Sequence, residues 1–372
     1  MSDLSISLEA LERSSSQLPV SSYFDEDLFR KEQDLIIRHG PRYVGHALCV
    51  PAVGDFHALA QEGEGRALVR TPDGVELISN VCRHRQAVML RGRGQTAKNV
   101  VCPLHRWTYD LHGQLVGAPH FESDPCLNLR NYPLQNWNGL LFEHNGRDVA
   151  GDLAALGPRA DFDFSGFVFD RAHLHQCDYN WKTFIEVYLE DYHVGPFHPG
   201  LGGFVTCDDL RWEFGRDHSV QTVGIQNELQ RPGSPVYRRW HDAVRQFRNG
   251  VPPAQGAIWL TYYPTVMVEW YPHVLVVSTL FPQGPQKTLN LVEFFYPEEI
   301  ALFEREYVDA QQAAYMETCV EDDEIGLRMD AGRRALMERG DNEVGPYQSP
   351  MEDGMQQFHE WYRREMGMAA EA

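Results

Sequence analysis

The sequence predicts an α+β protein: a small all-β domain, then a larger domain built on an antiparallel sheet flanked by helices. Residues 43–144 break into short β-type runs (ALVRT, VELISNV, NGLLFEH) cut by Gly, Pro, Asp and Asn. Residues 257–295 supply further strands rich in Val, Tyr, Trp, Phe and Thr, the composition of a half-buried antiparallel sheet. Helical patterns lie on both sides of that second β-rich stretch.

Taken in order, residues 1–45 form an N-terminal helical segment. Within it DEDLFRKEQDLIIR (25–38) places Leu28, Phe29, Leu35 and Ile36 at helical spacing, with acids in the first turn to suit the helix dipole. The all-β domain occupies 46–145, and the polar stretch 144–152 marks its end. The larger domain spans 146–372. It opens with a β-run at 166–169 and continues as a helix over 180–192 that begins at Asn180 and stops at Gly195-Pro196. A long helical region runs from Pro297, through Pro-Glu-Glu, to about Arg339. A terminal helix carries Met355, Phe358, Trp361 and Tyr362. There is no internal repeat and no low-complexity tract.

A length of 372 residues suits two domains, and 43% apolar with 23% charged residues is ordinary globular usage, which excludes a disordered chain or a fibre. Lys plus Arg number 33 against 53 Asp plus Glu, and the net charge of −20 repels phosphate backbones and anionic lipid. Nucleic acid and membrane are therefore not expected partners. Residues 1–20 lack a basic region followed by an apolar one, and the apolar stretch around 274–281 is too short to cross a bilayer, so a cytoplasmic location is expected. Seven cysteines are an odd count for a disulfide framework and point instead to metal ligation.

Two of them carry a pattern. Cys82-Arg83-His84 is followed, after residues 85–101, by Cys102-Pro103-Leu104-His105. Two bridged irons need four protein ligands, and two imidazoles in place of two thiolates on one iron raise its potential; that is the Rieske arrangement. Zinc also accepts two Cys and two His, but zinc loops commonly pair Cys with Cys, whereas each loop here offers one of each. Residues 82–119 resemble the Rieske domain of ring-hydroxylating oxygenases, the alpha subunits of multicomponent non-haem iron enzymes. CPLHRWTYDLHGQLVGAP (102–119) is similar to that family's second ligand loop along its whole length. The first loop reads CRHRQ where the family commonly has Pro after the Cys and Gly after the Arg, a change in stiffness but not in ligands.

In EVYLEDYHVGPFHPG (186–200), His193 and His198 straddle a helix end that Gly195-Pro196 must break for both imidazoles to converge. With one carboxylate they form a facial set that leaves positions on Fe(II) open to dioxygen. The segment resembles the family's mononuclear iron motif. The resemblance implies that Asp322, in a Glu321-Asp322 pair followed by Asp330-Ala331-Gly332 where the family has Gln-x-Gly, is the third ligand, with Asp323 as its competitor. It also implies that Glu190, three residues before His193, links the iron to the partner subunit's His105 across an interface. In most relatives that acid is Asp; the Glu resembles carnitine-type monooxygenases.

The resemblance further implies a helix-grip-like catalytic domain, a [2Fe–2S] cluster on Cys82, His84, Cys102 and His105, and mononuclear Fe(II) on His193, His198 and Asp322. Electrons would come from NAD(P)H through a separate reductase or ferredoxin, and the subunits would close as a homotrimer. The expected activity is that of a terminal oxygenase hydroxylating a small, aromatic organic substrate with O2. Ring dihydroxylation, as in aromatic hydrocarbon catabolism, stands beside monooxygenation or N-demethylation of a choline-, carnitine- or betaine-like compound. Outside that class, a Rieske electron carrier and a zinc-stabilised binding protein remain. Residues 259–281 are crowded with aromatics that suit either core or a substrate pocket, including a cation–π cage. Residues 230–256, with Arg231, Arg238, Arg239, Arg245 and Arg248 against Asp242, read as a solvated lid or loop, or as a guide for an anionic substrate.

Overall fold

In the computed structural model, which describes residues 17–368, the two β-rich stretches fold into two units. Residues 1–16, which belong to the N-terminal segment and to the stretch read as lacking a signal, lie outside the described residues, as do 369–372. Among the described residues, one unit comprises 41–151 with 167–169, the other 17–40, 152–166 and 170–368.

The first unit holds eleven short strands in chain order: β1 (Tyr43–His46), β2 (Asp55–Ala58), β3 (Arg66–Thr71), β4 (Gly74–Ser79), β5 (Arg93–Gln95), β6 (Asn99–Val101), β7 (Thr108–Asp110), β8 (Leu115–Gly117), β9 (Asn131–Tyr132), β10 (Leu134–Trp137) and β11 (Leu140–Glu143). They form sheets of order β1-β11-β10, β5-β2-β3-β4-β9 and β6-β7-β8. Because neighbours on a strand face opposite sides, Ala67, Val69 and Ile78 join one apolar cluster, with Cys82, Cys102, Trp107 and Tyr109. Leu68 and Leu77 join the other, with Val44, Val50 and Leu141. Burial on both faces explains why β3 reads as an unbroken apolar run rather than an alternation.

The second unit is a seven-stranded sheet of order β12-β18-β17-β16-β15-β14-β13: β12 (Phe167–Cys177), β13 (Val205–Phe214), β14 (His218–Ile225), β15 (Ala257–Tyr262), β16 (Val266–Tyr271), β17 (Val274–Gly284) and β18 (Lys287–Pro297). From β13 to β18 every pairing is antiparallel. Its longer helices among the described residues are α1 (Glu26–Glu32), α2 (Trp181–Tyr188), α3 (Pro235–Phe247), α4 (Arg305–Arg339) and α5 (Asp353–Glu365). One row across the sheet, Trp259, Glu269, Val276 and Phe294, follows the register from β15 to β18. Its apolar members pack in one cluster with Tyr237 and Trp240 of α3 and Tyr307 and Ala314 of α4.

Several elements depart from the sequence reading. α2 ends at Tyr188, not Tyr192, because Leu189 leaves the helical region (φ −102°, ψ 20°) and the Asp191 N–H donates to Met351 O instead of a helical carbonyl. Gly195-Pro196 therefore does not break the helix; it lies inside a separate short turn, Val194–Phe197. Residues 25–38 form α1 followed by a wider π turn, Gln33–Ile37, which leaves Leu35 exposed and Ile36 buried. The long C-terminal helix is interrupted at Glu304. The arginine-rich stretch is no loop: Ser234 caps α3, Pro235 opens it, and Tyr237, Trp240, His241 and Val244 are buried while Arg238, Arg239 and Arg245 stay in solvent.

Behind α2 lies a buried ionic cluster. Lys182 Nζ donates to Glu32 at 2.5 Å, and Glu32 also accepts from Trp181 Nε1 at 2.9 Å. Glu186 receives Tyr23, Arg333 and, at 2.8 Å, His359. Burial would raise the Glu186 carboxyl, but Arg333, His359 and Tyr23 hold it at about 2. These contacts fix α2 against the N-terminal segment, α4 and α5, and so anchor residues 189–198, the chain immediately past its end.

Candidate metal centres and active site

Just past α2 the chain turns on its own acid. Glu190 accepts the His193 backbone N–H at 3.1 Å through one oxygen and contacts His193 Nδ1 through the other. His198, after the turn, places Nδ1 2.7 Å from Glu321. Both rings thus have their outer nitrogen held by a carboxylate, which sets the orientation of the inner one. The inner nitrogens converge: Asp322 Oδ1 lies 3.7 Å from His193 Nε2 and 2.9 Å from His198 Nε2. One donor atom from each of the three residues falls within 4.8 Å of the others.

The adjacent acid points elsewhere. Neighbouring helical residues diverge by about 100°, and Asp323 instead meets His175 Nε2 at 2.7 Å and the Tyr179 hydroxyl at 3.0 Å. Asp330, offered by the sequence only as an offset marker, is buried and accepts the Asn180 backbone N–H at 2.9 Å and the Thr183 hydroxyl at 2.7 Å, tying α4 to the start of α2.

The donor set fits a divalent cation. His198 Nε2 is buried without an aligned hydrogen bond despite its approach to Asp322. Burial lowers the His193 imidazole, yet Asp322 and Glu190 outweigh it and push it up to about 10; the two imidazoles in turn hold Asp322 below the usual carboxylate range. Three acids around two rings call for positive charge, which a metal supplies in place of protons.

The cluster loops are twins. Gln86 N–H returns to Cys82 O at 3.0 Å and Arg106 N–H to Cys102 O at 3.2 Å, with Gln86 and Arg106 both left-handed (φ 58° and 62°). Gln86 thus sits in backbone that favours glycine, where the family pattern has Gly. The thiols of Cys82 and Cys102 point inward, 1% and 2% exposed, while His84 is half-buried and His105 exposed, with ring centroids 4.6 Å apart. His84 stacks on Trp107, and its Nδ1 is buried without a partner. Two buried soft sulfurs, two imidazoles and an orphaned ring nitrogen fit a Cys₂His₂ iron–sulfur cluster.

Residues 164–368 match the ring hydroxylating alpha subunit (catalytic domain) family, and residues 42–133 match the Rieske [2Fe-2S] domain. The chain belongs to the ring-hydroxylating alpha-subunit family. It is 69% identical over 366 residues to a putrescine 2-hydroxylase of Ralstonia nicotianae, covering 98% of this chain and 100% of the relative. A putrescine 2-hydroxylase of Bordetella bronchiseptica is 62% identical, over 95% and 85% respectively. A crystal structure of a quaternary ammonium Rieske monooxygenase shares the fold, with TM-score 0.75 and 19% identity over 95% of this chain and 96% of that one. This alpha subunit is therefore an oxidoreductase, the terminal oxygenase of a Rieske system. It carries a [2Fe–2S] cluster and a mononuclear iron and hydroxylates a small substrate. No described helix is long and apolar enough to cross a membrane.

Beside the His193–His198–Asp322 triad, the oxygenase holds a cavity. Its walls come from Tyr188, Tyr237 and Trp240, from Trp259, Glu269 and Tyr271 of the sheet, and from Tyr315, Thr318 and Cys319 of α4. Of the aromatics in 259–281, Trp259 and Tyr271 face this space, whereas Tyr263 packs in a separate core with Trp361. Sequence reasoning passed over Glu269. The available signal was a lone acid in the apolar strand VMVEWY, at a position whose cross-strand partners are Trp259 and Val276.

Proposed function

We propose that this oxygenase hydroxylates a short aliphatic diamine, putrescine at carbon 2, rather than an aromatic ring. One observation carries the reading: four carboxylates (Glu190, Asp191, Glu269, Asp322) and no Lys or Arg line the cavity. A ferrous ion at the triad answers the acids around His193 and His198, and buried Glu269, away from the triad, is left as the complement of a substrate ammonium group. Burying such charge without a cation is costly, and aromatic faces attract ammonium groups. The names of the two relatives more than 60% identical agree with this reading.

In this reading His193, His198 and Asp322 hold the mononuclear iron, and Cys82, His84, Cys102 and His105 hold the cluster. The iron supplies dioxygen activation, with electrons drawn from NAD(P)H by a separate reductase or ferredoxin through the cluster; one oxygen atom enters the C–H bond and the other leaves as water. Glu190 and Glu321 keep the imidazoles aimed, and the aromatic walls exclude water. Exposed His105, flanked by exposed Leu104, suits docking against a second copy, with Glu190 linking the partner subunit's His105 to the iron in a cytoplasmic homotrimer.

The test is product analysis with holoenzyme, reductase, NAD(P)H and isotopically labelled dioxygen. The expected product is 2-hydroxyputrescine carrying one labelled oxygen. Oxidation of an aromatic hydrocarbon or N-demethylation of carnitine, with putrescine untouched, would overturn the proposal.

A further inference from the structure

Glu269 is 1% exposed, and each of its oxygens takes a single hydrogen bond: the Tyr271 hydroxyl donates at 2.7 Å and the Tyr315 hydroxyl at 2.8 Å. A carboxylate offers about four lone-pair sites, so roughly half of its accepting capacity is unused. Among the described residues it has no cationic partner, in contrast to buried Glu32 and Glu186, which meet Lys182 and Arg333. Burial pushes its carboxyl up to about 7, a cost that a cation placed beside it would offset.

Its placement is as specific as its chemistry. Tyr315 stands seven residues before Asp322 on α4, two helical turns or about 10 Å along one face, with Thr318 and Cys319 between them in the cavity wall. The cavity thus runs along α4 from the metal triad to the Tyr315–Glu269 pair. Trp259 and Tyr271 meet beside the acid, the indole N–H donating to the Tyr271 hydroxyl at 3.0 Å.

We infer that Glu269, oriented by Tyr271 and Tyr315 and walled by Trp259, is the binding residue for one ammonium group of the substrate, at the end of the cavity away from the iron. The inference rests on the diamine reading and adds to it the residue that selects charge. The two tyrosines are positioning residues: they fix the carboxylate plane and leave its free lone pairs for ammonium N–H donors.

The experiment is isothermal titration and turnover with the iron-loaded holoenzyme, wild type and Glu269→Gln, using putrescine, 4-amino-1-butanol, 1-butylamine and tetramethylammonium. Glutamine keeps the shape but loses the charge, and its single carbonyl oxygen can accept from only one of the two tyrosine hydroxyls. The expected result is an increase of about 100-fold in Kd and KM for putrescine in the variant, with the cluster spectrum unchanged. Wild-type preference for putrescine over 4-amino-1-butanol should largely collapse in the variant. A merely structural Glu269 would lower both substrates together and leave that preference intact, overturning the inference. If wild type binds the ammonium probes through Glu269 but turns over no diamine, the inference stands and the diamine reading falls. If the variant hydroxylates putrescine with unchanged KM, the inference falls and the reading stands; if wild type binds no ammonium probe, both fall. Should the variant fold poorly, the comparison of putrescine with 1,4-butanediol in wild type decides, since equal affinity excludes a charge-selecting carboxylate.

Discussion

The two loops proposed to hold the cluster and the triad proposed to hold the iron solve opposite problems. Cys82, His84, Cys102 and His105 come from two short, equivalent turns, thiols inward and His105 in solvent. The triad draws on residues more than a hundred positions apart, with His198 buried and each ring braced by its own acid. A centre that must receive and pass electrons needs an edge at the surface, and its ligands suffice to define it. A centre that must keep water from a reacting carbon needs walls, and much of its design lies in residues that never touch the metal.

The largest expected effect tests whether the two centres are independent in their making and linked in their use. Cys102→Ser should abolish both the visible cluster spectrum and turnover, while the iron at the triad remains measurable in the purified protein. Glu321→Gln, which removes the brace on His198, should weaken iron binding by about 10–100-fold and leave the cluster spectrum unchanged, as metal-buffered titration would show. Glu32→Ala would leave Lys182 buried and unpaired behind α2. A loss of about 3–5 kcal/mol, read as a lowered melting temperature, is expected in the catalytic unit, with the Rieske unit unaffected. Because the Glu186 carboxyl is held below its ordinary value, its contribution is present above about pH 4.5 and is lost as pH falls towards about 2. Thermal melts of Glu186→Gln should therefore lack that part of the wild-type acid sensitivity. Smallest of all, Gln86→Gly relieves a left-handed backbone and should stabilise the Rieske unit by about 1 kcal/mol, with no change in potential.

The same contrast explains what is legible in the sequence. The proposed cluster ligands are visible because each loop is contiguous, so spacing alone is geometry. His193 and His198 are visible as a pair, but Asp322 is reached only through family likeness, since no local rule joins it to residues 129 and 124 positions away. Asp323 would pass any compositional filter equally well, and only the helical turn sends it to His175 instead. Glu269 is hidden by its strand, where an acid among apolar residues reads as a defect in a core rather than as a subsite. Glu32 and Lys182 are invisible for the same reason at longer range. Helix α3 carries a legible signal, since Ser234-Pro235 is a helix start and Tyr237, Trp240 and Val244 keep helical spacing; its surface arginines mask that pattern and suggest a loop.

The most direct test of two separate iron centres on these seven residues is elemental analysis of wild type beside His193→Ala. Three irons and two labile sulfides per chain are expected in wild type. The variant should retain two irons, both sulfides and the cluster spectrum while losing turnover. Equal iron in both proteins, or loss of the cluster in the variant, would contradict the account.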